Sequence, residues 1–256
     1  MSDSIIYEQP LAEKVRSFLR LEFLFELVDH NLKADHACDT RAALLHMLDI
    51  VGLVSRVDLK SELGKELSRY SILLNGYRDS ATVDQARLEI IRREIKQAVI
   101  LLNAYNGQPG QSLRDHELIG TVLQRNNQGG GPSSFDVPTL HQWLQRPVDV
   151  QKAELQEWNS TLTVLRGAVT LYLRLLRDSV TPEEQTAISG VFNVSFGQKR
   201  NVKLVRIVLP AYSLLYPEIS GGRHRLSVRF MRNTNFAERA RQTADDTSFM
   251  LACCAF

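Results

Sequence analysis

Around Thr181-Pro182 the spacing of apolar residues changes from a period near 3.6 to a period of 2. That switch does most to limit what the chain can fold into. Alternating βαβ units would interleave the two periods, whereas a block of helices followed by a block of strands gives segregated layers. The pattern therefore predicts an α+β protein, with a helical domain over residues 11–188. A β-domain is expected to take residues 1–10 together with 189–256, because Ile5-Ile-Tyr7 is too short a strand to satisfy its own backbone alone.

Within the helical part, Leu11, Val15, Phe18 and Phe25 recur at three- and four-residue steps, and Pro10 suits the first turn of that helix. A second helix is predicted over Asp39 to Val54 with Asp39 as its N-cap, a third from Asp58 to about Tyr77, and a fourth from Val83 to Tyr105. Ser112 is expected to cap a shorter helix through Leu123. Asn126 to Ser134 reads as a flexible loop, Pro138–Leu144 as a short helix, and Val148 to Arg177 as one long helix. Beyond the switch, Gly190–Phe196, Val202–Leu209, Gly222–Met231 and Ser248–Phe256 read as strands. The last is apolar on both faces and is expected to be central.

The residues exclude several classes of function. There is no Gly-x-Gly-x-x-Gly and no Gly-x-x-x-x-Gly-Lys, and Gly129-Gly-Gly131 leads into Pro-Ser-Ser with no basic residue to hold phosphate. The six histidines form no ligand pattern. Asp-His recurs at 29–30, 35–36 and 115–116, but sequence neighbours do not face each other on a helix. With no nucleophile elbow or Cys/His signature either, the chain reads as a non-enzyme with no catalytic residues, no metal and no cofactor. Cys38, Cys253 and Cys254 are odd in number and suit neither a disulfide framework nor zinc. The N-terminus has no signal-peptide pattern and no apolar run reaches membrane-spanning length, so a cytoplasmic protein with reduced thiols and no membrane insertion is expected.

Charge is nearly balanced overall, 31 Lys+Arg against 29 Asp+Glu, but it is unevenly placed. Residues 190–256 hold ten basic and four acidic side chains, a net +6 that leaves the first 189 residues at −4. On the predicted strand Gly222–Met231, alternation puts Arg223, Arg225, Ser227, Arg229 and Met231 on one face and His224, Leu226, Val228 and Phe230 on the other. A row of guanidinium groups repels itself and contributes nothing to the fold. A solvated strand face is the plain reading, and an acidic partner is the functional one. If strand 202–209 lies beside it, Val202, Leu204 or Val208 offers such a partner apolar contacts. A nucleic-acid-binding module using the basic sheet is the alternative, though the sheet has no interleaved aromatic platform and nucleic acid is not the expected partner. Arg16, Arg20, Arg56, Arg114 and His141 stand alone on helices, where a structural histidine and solvated arginines are the plain reading.

Several stretches together resemble one family, the bacterial cell-division protein ZapD, which binds the tubulin-like division protein FtsZ. They are Tyr7-Glu-Gln-Pro-Leu-Ala-Glu-Lys-Val-Arg-Ser-Phe-Leu-Arg-Leu-Glu-Phe-Leu24, Asp58-Leu-Lys-Ser-Glu-Leu-Gly-Lys-Glu-Leu67, Val83-Asp, Leu113-Arg114, Ser134-Phe-Asp-Val-Pro-Thr-Leu-His-Gln-Trp-Leu144, Leu215-Tyr-Pro-Glu-Ile-Ser-Gly221, Arg229-Phe-Met231 and Cys253-Cys254. The resemblance implies a helical domain joined to a β-domain and a homodimer that binds the C-terminal tail of FtsZ. Such a dimer would cross-link FtsZ filaments and stabilise the division ring after recruitment to midcell. Carried onto matching positions, the family's basic determinants fall at Arg16, Arg56, Arg114, His141, Arg223, Arg225 and Arg229, with Arg206 a further basic candidate. Two departures stand out: Gly129-Gly-Gly-Pro-Ser-Ser134 replaces a Pro-Gly-Gly-Cys-type turn, and two residues follow Cys253-Cys254, which are expected to change little.

Overall fold

A computed structural model describes residues 4–34, 36–56, 58–78, 83–126, 132–197, 201–222, 224–233, 235 and 237–256. Helices dominate the N-terminal half and strands the C-terminal half, with the N-terminal strand joining the latter, so the α+β class is as expected. The chain divides into two compact units, Ser17–Tyr172 and Met1–Arg16 with Leu173–Phe256.

The helices are α1 (Glu13–Lys33), α2 (Ala37–Arg56), α3 (Leu59–Asn75), α4 (Gln85–Ala104), α5 (Gln111–Arg114), α6 (Glu117–Arg125), α7 (Pro138–Leu144), α8 (Val148–Ser160) and α9 (Thr163–Arg177). Phe18, Leu21, Phe25 and Val28 of α1 and Leu44, Met47, Leu48 and Val51 of α2 are buried at the spacing of one helical face. Asp58 and Asp84 cap α3 and α4, accepting from the backbone N–H of Ser61 and Arg87. Asp39 is not a cap: α2 starts two residues earlier, and the ring Nδ1 of His36 accepts from Cys38 N at 3.1 Å. Ser112 likewise lies inside α5, which follows Gly110 at φ 75°, and α6 starts separately.

The long helix expected over Val148 to Arg177 is two. At the break, the Ser160 and Thr161 hydroxyls donate to the carbonyls of Glu157 and Trp158 at 2.6 and 2.7 Å. Consecutive hydroxyls of this kind compete with the helical ladder. Gln151 is fully buried but satisfied. It accepts from Thr40 Oγ1 at 2.5 Å and donates to the carbonyls of Leu144 and Arg146, tying α2 to the start of α8.

In the other unit, β1 (Ser4–Pro10), β2 (Glu183–Ala187), β4 (Val202–Pro210) and β8 (Thr247–Ala255) form one antiparallel sheet in the order β1-β4-β8-β2. A second sheet has the order β3-β6-β5, from β3 (Val191–Ser195), β5 (Leu215–Gly221) and β6 (Arg225–Arg232), with β7 (Arg241–Gln242) pairing β6. Strand β8 is interior, as its two apolar faces require. Pro10 ends β1 instead of opening α1; on an edge strand its missing N–H breaks no ladder.

The two sheets share a core. Val205, Ile207 and Leu209 of β4 and Phe249, Leu251 and Cys253 of β8 meet Leu226, Val228 and Phe230 of β6. The Phe249 ring lies 4.9 Å from Phe230 and 5.3 Å from Phe192, centroid to centroid. Each such side chain contributes about 1.5–3 kcal/mol on burial.

On β1, the carboxylate of Glu8 accepts from Arg177 Nε and Nη2 and from Arg206 Nε, all at 2.9 Å, with the three side chains only 19–24% exposed. Burial pushes the neighbouring Cys254 thiol up to about 11, so no thiolate forms at neutral pH. Phe256 is not idle: its ring lies over the buried Lys203 ammonium, 4.4 Å from Nζ to centroid.

Candidate functional site

Strand β6 lays out its side chains as alternation requires. Leu226, Val228 and Phe230 are buried, while Arg225 and Arg229 are exposed on the opposite face, about 13 Å apart by strand rise. The flanking strands supply small polar side chains to the rows between them. Ser195 is in register with Arg225, and Asn193 and Ser220 with Ser227. This face can hold an extended segment by its carboxylates, with hydroxyl and amide groups between the cations.

Among the described residues Arg225 makes no ion pair, whereas Arg229 donates through Nη2 to Glu218 Oε2 at 3.1 Å. Arg223 lies outside the described residues. The apolar flank proposed from β4 does not exist: β4 sits in the other sheet between β1 and β8, and Val202 and Leu204 are buried.

A second basic surface lies on the helical unit. Arg20 of α1 and Arg56 at the end of α2 line a groove of about 480 Å³ whose apolar walls include Phe23, Leu24, Leu53 and Leu123. Phe23 is 58% exposed. The floor includes Gly52, in the interior of α2, where an added Cβ would meet nothing within 4 Å. Glycine there disfavours the helix by about 0.5–1 kcal/mol relative to alanine. Packing does not require it, and the open space it leaves belongs to the groove.

Arg56 and Arg114 each lie near Gln108, in the turn before α5. Arg56 lines a small cleft with Gln108 and Pro109, and Arg114 donates to Gln108 and Gln111 at 3.2 and 2.5 Å. The second guanidinium nitrogen of Arg114, Nη1, is buried and has no partner among the described residues.

The remaining sequence candidates are scattered. Arg206 is bound to Glu8 in the β1-β4-β8-β2 sheet. Removing one partner from such an ion trio costs about 3–5 kcal/mol, so Arg206 is tied into the fold. Arg16 bonds Glu13 and the carbonyl of Pro10. His141 is exposed on α7. Of the loop at 126–134, residues 127–131 lie outside the described residues. Sequence reasoning did not single out Gly52, Leu53 or Leu123. The signal available was a glycine inside an otherwise strong helical pattern.

No group of His, Cys, Asp and Glu suited to a metal ion occurs among the described residues, and no described helix is long and apolar enough to cross a membrane. Exposed arginines on a sheet face and along an apolar groove place this chain among proteins whose surface is suited to binding acidic segments. Residues 19–229 match the family model ZapD, described as a cell division protein. The chain is similar to the cell division proteins ZapD of Methylococcus capsulatus (35% identity, 99% of both chains), Chromobacterium violaceum (34%, 98% of this chain and 100% of that one) and Enterobacter sp. (36%, 99% and 100%). It belongs to the ZapD family of cell division proteins, whose name denotes a role in division and not a reaction.

Proposed function

We propose that this protein binds the C-terminal tail of FtsZ and, as a homodimer, cross-links FtsZ filaments at the division site in the cytoplasm. The observation that carries the reading is the outer face of β6, where two arginines stand exposed on a strand whose other side is core. Each charge-assisted bond from such a guanidinium to a tail carboxylate contributes about 1.5–3 kcal/mol before desolvation. Arg223, Arg56 and Arg114, with Arg16 and His141, extend the basic set, and Arg20 joins it through the groove. Arg206 is left out because Glu8 already holds it.

A dimer turns weak single contacts into a cross-link by effective concentration along the filament. Its face is proposed on α3 and α4, which pack on one another. Of the 13 large apolar side chains exposed among the described residues, Ile72, Leu73, Tyr77, Ile90, Ile100 and Leu101 sit on this hairpin. Such a concentration marks a contact surface.

Co-sedimentation with FtsZ polymers tests the proposal. Intact polymers should bundle and pellet with the protein, and polymers lacking only the C-terminal tail should not. Excess duplex DNA should leave the pellet unchanged; competition by DNA would favour the nucleic-acid reading. Equal bundling of tailless polymers would refute tail recognition.

Filling the groove tests its part in the site. Gly52→Phe replaces a poor helix former where an added Cβ meets nothing within 4 Å, at a position that lines the groove meant to take the ring, so the melting temperature should not fall. Affinity for a fluorescent tail peptide should drop about tenfold, the scale of one buried apolar side chain. Unaltered affinity would remove the groove from the site.

A further inference from the structure

We infer that Glu218 is a built-in competitor for the ligand's carboxylate. It occupies Arg229 in the free protein and so determines how acidic a segment must be to bind the β6 face. The inference rests on the tail-binding reading above. Glu218 lies in Leu215-Tyr-Pro-Glu-Ile-Ser-Gly221, a stretch the proposed function leaves without a task. Pro217 and Ile219 turn inward, and the register sets Glu218 directly across from Arg229 on the outer face.

The pair is 3.1 Å long, with the two side chains 59% and 45% exposed. An ion pair this exposed adds little to stability, in general about 0–1 kcal/mol. Its electrostatic effect on the site is larger. Among the described residues Arg225 carries no such partner, so one cation is open and the other is covered. An incoming segment with one carboxylate can use Arg225 alone. Only a segment with a second carboxylate about 13 Å further along, by strand rise, displaces Glu218 and engages both cations. Glu218 thereby discriminates against weakly acidic segments and keeps the row of like charges partly neutralised while no ligand is present.

The experiment measures the affinity of a fluorescent FtsZ tail peptide for full-length protein by anisotropy at low salt. Glu218→Gln keeps the shape and removes the charge, and it should tighten binding about two- to fivefold, the range of an exposed pair. In an Arg229→Gln background the same change should give no gain, because the cation it uncovers is gone. Glu184→Gln, an equal charge change on the exposed edge strand β2 of the other sheet, should leave affinity unaltered. An unchanged or weaker affinity for Glu218→Gln overturns the inference. So does an equal gain from Glu184→Gln, or a gain that persists without Arg229. If charge reversal at Arg225 and Arg229 leaves peptide affinity intact, the tail-binding reading itself fails. If that reversal abolishes binding while Glu218→Gln changes nothing, the reading stands and only the inference falls.

Discussion

Charge reversal at Arg225 together with Arg229, both to Glu, is expected to abolish the proposed bundling of FtsZ filaments while leaving the proposed dimer intact. Both side chains are exposed on the outer face of β6, and the core contacts of that strand come from Leu226, Val228 and Phe230, which the change does not touch. The fold therefore loses no more than the exposed pair with Glu218, while the ligand loses two charge-assisted partners and meets two like charges. At about 1.5–3 kcal/mol per bond, peptide affinity should fall at least a hundredfold. A sedimentation assay reads the loss, and analytical ultracentrifugation confirms the dimer. Bundling at the level of the unaltered protein would sink the basic-sheet site.

The second large effect concerns the proposed dimer. Ile72→Glu together with Ile90→Glu should convert it to a monomer at micromolar concentration. Both residues lie on the α3–α4 hairpin and are 70% and 57% exposed in the isolated chain, so neither substitution disturbs the helical core. In a twofold contact each charge enters twice, and an unpaired ion removed from water costs several kcal/mol. The dissociation constant should rise at least about a thousandfold. Tail-peptide affinity per chain should remain while bundling disappears, which separates cross-linking from recognition. A variant that still sediments as a dimer would place the contact elsewhere.

The elements that were legible in the sequence are those whose burial leaves a period. Strand β6 was readable because Leu226, Val228 and Phe230 alternate with polar residues, and β8 because it is apolar on both faces. Strands β2 and β5 were not anticipated. Both are edge strands, where Glu183-Glu-Gln185 and Pro217 are tolerated because one side of the ladder is open. The break between α8 and α9 was hidden because it depends on side-chain hydroxyls within an unbroken apolar pattern.

The site divides in the same way. Exposure of Arg225 and Arg229 followed from strand alternation alone. The commitment of Arg206 to Glu8 could not be read, because it joins strands 198 positions apart in the chain. Nor could the covering of Arg229 by Glu218, since it requires knowing which residue stands across the ladder. The groove beside Arg20 and Arg56 depends on how α1, α2 and α6 converge, which spacing within any one helix does not reveal.

Strand β1 also has a consequence for biosynthesis. It is translated long before its partner, since among the described residues Ser4 to Pro10 pair with residues 204–210. While Ser17–Tyr172 is being translated and begins to fold, this strand has no ladder to join and must be kept from pairing with other nascent chains. Completion of that sheet is thus tied to the late stages of translation, and its edge is the point at which a chaperone would have most to protect.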